Sequence, residues 1–189
     1  MLPELIKKTS LFSLLHRIDL NLAEECRDQS CPHCAGPLHQ SNYLRKPWGA
    51  PKNIPDHQMI RQSLCCGMDG CRRRQLPPSC IFWGRRHYWS GVILVVMALR
   101  QNRPQGASTI TLMRMFGISR KTLFRWISWF RDEFPASNHW QSVRGRVSAT
   151  INSGDLPGSL LDHYIQHSET HEAALVGCLQ LFAAGLKGF

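Results

Sequence analysis

Four of the eight cysteines stand at spacings that suit a metal ion. Cys31-Pro-His-Cys34 is a pair with two residues between its members, and Cys66-Gly-Met-Asp-Gly-Cys71 is a second pair with four between them. Two such pairs about thirty residues apart match the closed tetrahedral thiolate site of a zinc ribbon, in which each pair occupies a tight turn between strands. Zinc takes four ligands, two close cysteines supply adjacent corners, and two turns brought together close the shell. The expected cofactor is therefore Zn2+, held by Cys31, Cys34, Cys66 and Cys71. Cys66 is preferred over its neighbour Cys65 because it closes the shorter loop to Cys71 and leaves Cys65 facing the other way along a strand. His33 and His39 read as bystanders, and Cys26, Cys80 and Cys178 as small buried hydrophobes.

A closed shell keeps no position for water, which argues against hydrolytic zinc chemistry. No His-x-Glu precedes Cys31, so a deaminase site is not expected either. His163, His167 and His171, spaced by four, would align on one helix face, but Ser168 interrupts that helix and a solvated polar face is the simpler reading. No nucleophile and base pair and no carboxylate cluster emerges. The expectation is a protein without catalytic residues.

Arg72-Arg73-Arg74 follow Cys71 directly, and Phe82-Trp83-Gly84-Arg85-Arg86-His87-Tyr88-Trp89 come soon after. Arginines beside aromatics and without an intervening acid are what a phosphate-contacting edge needs, with rings free to pack or stack. Residues 109–128 carry the spacing of a helix-turn-helix: Leu112, Phe116, Ile118, Leu123 and Trp126 can all face inward. Gly117 supplies the turn, where a left-handed backbone is cheap only without a side chain. Ser108 and Ser119 are placed to cap the two helices. This leaves Arg120, Lys121, Phe124, Arg125 and Ser128 on the outer face of the second helix, where an inserted helix meets base edges and phosphates. Arg120 and Arg125 are the expected base readers and Lys121 a phosphate contact. Met113, where a small residue is usual, departs from the motif. Trp129 and Phe130 are assigned to packing.

The order of these parts, from Cys31-Pro-His-Cys34 through Cys66-x4-Cys71-Arg72-Arg73-Arg74 to Ser119-Arg120-Lys121-Thr122-Leu123-x-Arg125-Trp126, resembles the zinc-ribbon plus helix-turn-helix N-terminal regions of bacterial insertion-sequence transposases, and small transposon-associated proteins of that build. The likeness covers about residues 26–133 and implies recognition of transposon-end or target DNA. It does not imply catalysis. Such transposases carry an acidic metal-binding triad in a following RNase-H-like domain, and residues 135–189 offer only Asp155, Asp162, Glu169 and Glu172.

The elements that must position these groups are mainly α-helical with a small β zinc ribbon. Residues 1–25 read as an N-terminal helical segment, one helix or two broken by Asp19, with Leu11, Leu14, Leu15 and Ile18 at helical spacing. Residues 26–87 are the zinc-ribbon-like module, and 88–134 the helix-turn-helix, opened by a helix from Tyr88 to Arg100. Residues 135–158 are expected to be a partly structured linker and 159–189 a C-terminal helical segment. Charge is uneven: residues 1–149 hold 22 of the 23 Lys and Arg against 9 of the 13 acids, a net of +13, whereas 150–189 hold one Lys against four acids, a net of −3. Arg outnumbers Lys by 17 to 6, which suits bidentate contacts to phosphate or guanine.

The expected partner is thus nucleic acid, duplex DNA by preference. A transposase or other protein partner and a homodimer are further expectations, because one module of this size buries only roughly 600–1,000 Å² on DNA. The start lacks the apolar core and cleavage site of a signal peptide, and Val92 to Leu99 is far short of the ~20 residues of a membrane span, so the expected location is the cytoplasm, at the nucleoid. Two other readings stand beside the mobile-element accessory. One is a transcription repressor or regulator built of the same parts. The other is an adaptor whose C-terminal Leu160, Leu161, Leu175, Leu179, Leu181 and Phe182 grip a protein or ribonucleoprotein machine, although those side chains more simply form core.

Overall fold

The computed structural model describes residues 1–83, 87–101, 107–147 and 151–185. The chain is mainly helical with a small antiparallel sheet, and it divides into two compact units. One comprises residues 4–90 with 180–189, the other residues 1–3 with 91–179. No described helix is long and apolar enough to cross a membrane.

The chain opens with a single helical turn, α1 (Leu2–Leu5), followed by the long helix α2 (Thr9–Asp28). Leu11, Phe12, Leu15, His16, Asp19 and Ala23 form one buried stripe along α2, the spacing an amphipathic helix needs. Of the two possibilities the sequence leaves open, α2 takes the single helix and runs unbroken through Asp19. An aspartate disrupts a helix when its carboxylate competes for nearby backbone, and here that carboxylate is engaged elsewhere. It accepts from Ser79 Oγ and, at 2.6 Å, from the Cys80 N–H. Ser79 Oγ in turn accepts from the Ile81 and Phe82 N–H groups at 3.2 and 2.9 Å, so its hydroxyl proton is committed to Asp19.

Five short strands follow: β1 (Leu38–Gln40), β2 (Tyr43–Leu44), β3 (Ile60–Arg61), β4 (Leu64–Cys66) and β5 (Arg74–Gln75). They form an antiparallel three-stranded sheet in the order β1-β4-β5 and a separate β2-β3 pair. In this unit Phe12 meets Trp89 edge to face at 5.6 Å, and Phe182, returning late in the chain, meets Trp83 at 4.7 Å. Arg61, only 3% exposed, donates to the Pro77 carbonyl at 2.6 Å.

The second unit is built on α3 (Ser90–Gln101), whose residues Val92 to Met97 are all buried. Two short helices, α4 (Thr109–Phe116) and α5 (Arg120–Ser128), come next, and a π-helical turn, Trp129–Glu133, continues α5. Residues 135–158 hold more structure than their prolines and glycines suggest, namely α6 (Asn138–Val147) and a 3-10 turn at Ser153–Asp155. Turn-forming composition loses here to packing: Trp140 is buried against Phe134 at 5.6 Å, its indole N–H donates to Ser153 Oγ, and Ser137 Oγ accepts from its backbone N–H. Helices α7 (Gly158–His167) and α8 (His171–Gly185) close the chain, with Ser168 extended between them. Gln101 ties α3 to the start of α7, donating to the Leu156 carbonyl and accepting from the Gly158 N–H.

Candidate metal centre and nucleic-acid face

Two tight turns carry the cysteines. In the first, the Cys31 N–H donates to the Gly36 carbonyl and the Ala35 N–H to the Cys31 carbonyl, both at 2.8 Å, with Ala35 at a φ of 56°. This turn lies between α2 and β1 rather than between two strands. The second lies between β4 and β5. There the Cys71 and Arg72 N–H groups both donate to the Met68 carbonyl, and Arg72 has a φ of 44°. Antiparallel pairing of β1 with β4, Leu38 opposite Cys66, brings the turns together.

The four sulfurs, Cys31, Cys34, Cys66 and Cys71, all lie within 4.8 Å of one another. Cys31 Sγ is 3.9 Å from Cys71 Sγ, and Cys34 Sγ is 3.4 Å from Cys66 Sγ. An ideal tetrahedron with metal–sulfur bonds of about 2.3 Å has sulfurs roughly 3.8 Å apart, so the arrangement fits a four-coordinate ion. Cys31 and Cys66 are buried beside Leu38 and Leu64, and Cys26 packs against the same cluster. Hydrogen bonding and burial act on the thiols unequally. The His33 N–H favours the Cys31 thiolate and, despite burial, brings that group down to about 7. At Cys66 the Met68 N–H favours the thiolate, but burial and the neighbouring thiols outweigh it and push the group up to about 12.

Strand alternation separates the adjacent cysteines as the sequence suggests: Cys66 joins the cluster, while Cys65 is directed at the Arg72 carbonyl at 3.4 Å. His33 is no ligand; its Nδ1 lies 3.0 Å from Arg73 Nη1. The ring of His39 lies against Gly67, where an added Cβ would come within 2.5 Å of it. Cys80 and Cys178 are fully buried, and burial raises both thiols far above their ordinary range.

Arg72, Arg73 and Arg74 are all exposed. Arg72 pairs with Asp69, and Arg74 donates to Ser41 Oγ at 3.1 Å with its guanidinium over the Tyr43 ring at 5.7 Å. Arg85 and Arg86 lie outside the described residues.

Around Gly117 the local chemistry is well defined. Ser108 Oγ accepts from the Thr111 N–H at 3.2 Å and Ser119 Oγ from the Thr122 N–H at 3.1 Å, each satisfying an amide the helix start leaves open. Gly117 adopts φ 62° and ψ 32°, the left-handed cap that ends α4. Leu112, Ile118, Leu123 and Trp126 are buried and Phe116 half-buried. On the opposite face Arg120, Lys121, Phe124 and Arg125 are exposed. Arg120 sits over the Phe124 ring at 5.5 Å, and Arg125 donates to Thr122 Oγ1 at 3.2 Å. Ser128 is half-buried and spends its hydroxyl on Asp132 at 2.9 Å, so it is turned along the helix rather than outward.

In α7 the His163 and His167 rings lie 4.3 Å apart, and His171 begins the next helix. Among the described residues these histidines belong to no cluster of three or more metal-ligating groups. Sequence reasoning passed over two features: the buried Asp19 and Arg61, whose residue types gave no warning of burial, and Trp48, which lies in a loop without a motif.

Comparison with protein-family models, with curated proteins and with solved structures found no match.

Proposed function

We propose that the protein is a zinc-containing, duplex DNA-binding protein that serves as a non-catalytic accessory or targeting component of a bacterial mobile element. The carrying observation is the outer face of α5: Arg120, Lys121, Phe124 and Arg125 exposed together, backed by buried Leu123 and Trp126 and started by the Ser119 cap. A helix so presented acts as the reading helix of a helix-turn-helix, entering the major groove with arginines directed at guanine O6 and N7 and Lys121 on phosphate. Four clustered thiols support zinc as a structural ion of a ribbon, and Arg73 and Arg74 at its edge strand supply phosphate contacts. The mobile-element assignment rests on the order of motifs. An adaptor role is disfavoured because, of the six side chains it would present, Leu160, Leu161, Leu175, Leu179 and Phe182 are buried and Leu181 is half-buried.

The test is selection from random and native flanking duplexes, at near-physiological salt with excess competitor, using protein whose zinc content has been measured. An enriched motif is expected, lost in an Arg120→Ala, Arg125→Ala variant, since each good bidentate contact discriminates by about 1–3 kcal/mol. Binding that merely decays with salt and enriches nothing would remove the sequence-reading role from α5.

A further inference from the structure

Of the six tryptophans one stands apart. Trp83, Trp89, Trp126 and Trp140 are buried, Trp129 is half-buried, and Trp48 is 62% exposed. Its exposure is not that of a loose loop. The Trp48 N–H donates to the His87 carbonyl at 2.7 Å and its carbonyl accepts from the Trp89 N–H at 2.9 Å, a parallel bridge to Tyr88. The Ala50 N–H closes a turn onto the Pro47 carbonyl, with Gly49 at φ 78°, the value a type II turn requires at its third position. Backbone on both sides of the indole is therefore pinned.

Side chains hold the ring as well. Tyr88 meets it edge to face at 5.5 Å and His87 lies tilted at 6.5 Å, so neighbours brace the indole while most of its surface faces water. The charged residues nearest it in sequence have one sign. Lys46 and Lys52, two residues before and four after, are both exposed, and no acidic residue occurs between Asp28 and Asp56. A fixed, solvent-facing aromatic flanked in sequence by cations, with the nearest acid in its loop eight residues on at Asp56, is the combination that receives a nucleobase on the ring and its phosphates on the amines. Duplex DNA offers no free base face for such a ring, because its bases are already stacked.

We propose that Trp48 is a stacking platform for an unpaired nucleobase of single-stranded DNA, with Lys46 and Lys52 on the adjoining phosphates. The site uses none of the α5 residues and does not depend on their reading duplex sequence.

The experiment is fluorescence anisotropy of a dye-labelled oligo(dT) of about 15 nucleotides, a length at the upper end of single-module sites, and of a blunt duplex of the same length, across a salt series. Full-length wild type is compared with Trp48→Ala, Trp48→Phe and a Lys46→Ala, Lys52→Ala double variant, each checked for wild-type metal content and circular dichroism. Trp48→Ala is expected to weaken oligo(dT) binding roughly tenfold with an unchanged salt slope, because stacking releases no counterions. Trp48→Phe retains most of the affinity, and duplex binding by Trp48→Ala stays at the wild-type level. The lysine double variant lowers the salt slope by about 0.7 per lost contact. Wild-type protein that does not bind oligo(dT), or Trp48→Ala that binds it as well as wild type or loses single strand and duplex alike, overturns the proposal. An Arg120→Ala, Arg125→Ala variant that fails in duplex selection yet keeps oligo(dT) affinity separates failure at α5 from failure here.

Discussion

Asp19 shows how much one side chain can govern when it is buried. It is 3% exposed, fixed by Ser79 and the Cys80 N–H, and near enough to the Arg61 charge to be stabilised by it, yet burial dominates and raises its carboxyl from 3.8 to about 6. A carboxyl whose folded-state value lies above its unfolded one favours the fold most fully below about pH 4, and that contribution is lost as pH rises through about 6. Substituting Asp19→Asn removes the titration. The stability of wild type relative to this variant should therefore fall between pH 4 and pH 6.5, read from urea midpoints at each pH; a constant difference would mean that Asp19 does not titrate in that range. An amide brings its own cost at every pH, since Ser79 Oγ already accepts two backbone bonds and cannot take a third. Sequence reasoning reached the cysteines but not this aspartate. A cysteine cluster that could hold a metal announces itself by spacing, whereas a buried carboxylate is defined by partners sixty residues away in the chain.

At the scale of elements, the α4 and α5 pair is where local sequence and local structure agree most closely, because its signals are short-range. Gly117 is required by its left-handed backbone and Ser119 by the amides it caps. Gly117→Ala should cost about 1 kcal/mol, from forcing a Cβ into that conformation, and Ser119→Ala about 1 kcal/mol, from the lost cap. Both are measurable as lowered denaturation midpoints. On the proposed DNA-reading role of α5, neither should change the preferred sequence, as neither residue belongs to the exposed arginine face. Long-range effects made other elements harder to read. Gly145 and Pro135 suggested a linker, yet α6 forms because Trp140 has a core to enter. Asp19 left a break open, yet α2 continues because its carboxylate is occupied from outside the helix.

For the whole molecule, the governing quantity is the distribution of charge. The net of +13 over residues 1–149 and −3 over 150–189 concentrates positive potential in the first part of the chain, where the proposed DNA contacts lie. Within it the arginines after Cys71 are not equivalent. Arg72 is already paired with Asp69, whereas among the described residues Arg73 and Arg74 pair with no carboxylate: Arg73 meets the His33 ring nitrogen, and Arg74 a serine hydroxyl and a tyrosine ring. In plots of log affinity against log salt on duplex DNA, Arg73→Ala and Arg74→Ala should each lower the slope by about 0.9 and weaken binding uniformly across sequences. Arg72→Ala should change it least. Equal effects from all three would indicate that the Asp69 pair opens on binding.

Phe182 against Trp83 carries a consequence for synthesis. Phe182 packs into the unit that holds residues 4–90, so its cysteine turns emerge from the ribosome long before this packing partner does. At translation rates of about 5–20 residues per second, the nascent chain spends roughly 5–20 s with Trp83 made and Phe182 still to come. During that interval all four thiols of the cluster are made while this aromatic contact is unfinished, so on the proposed zinc-binding reading metal capture would precede closure of the unit.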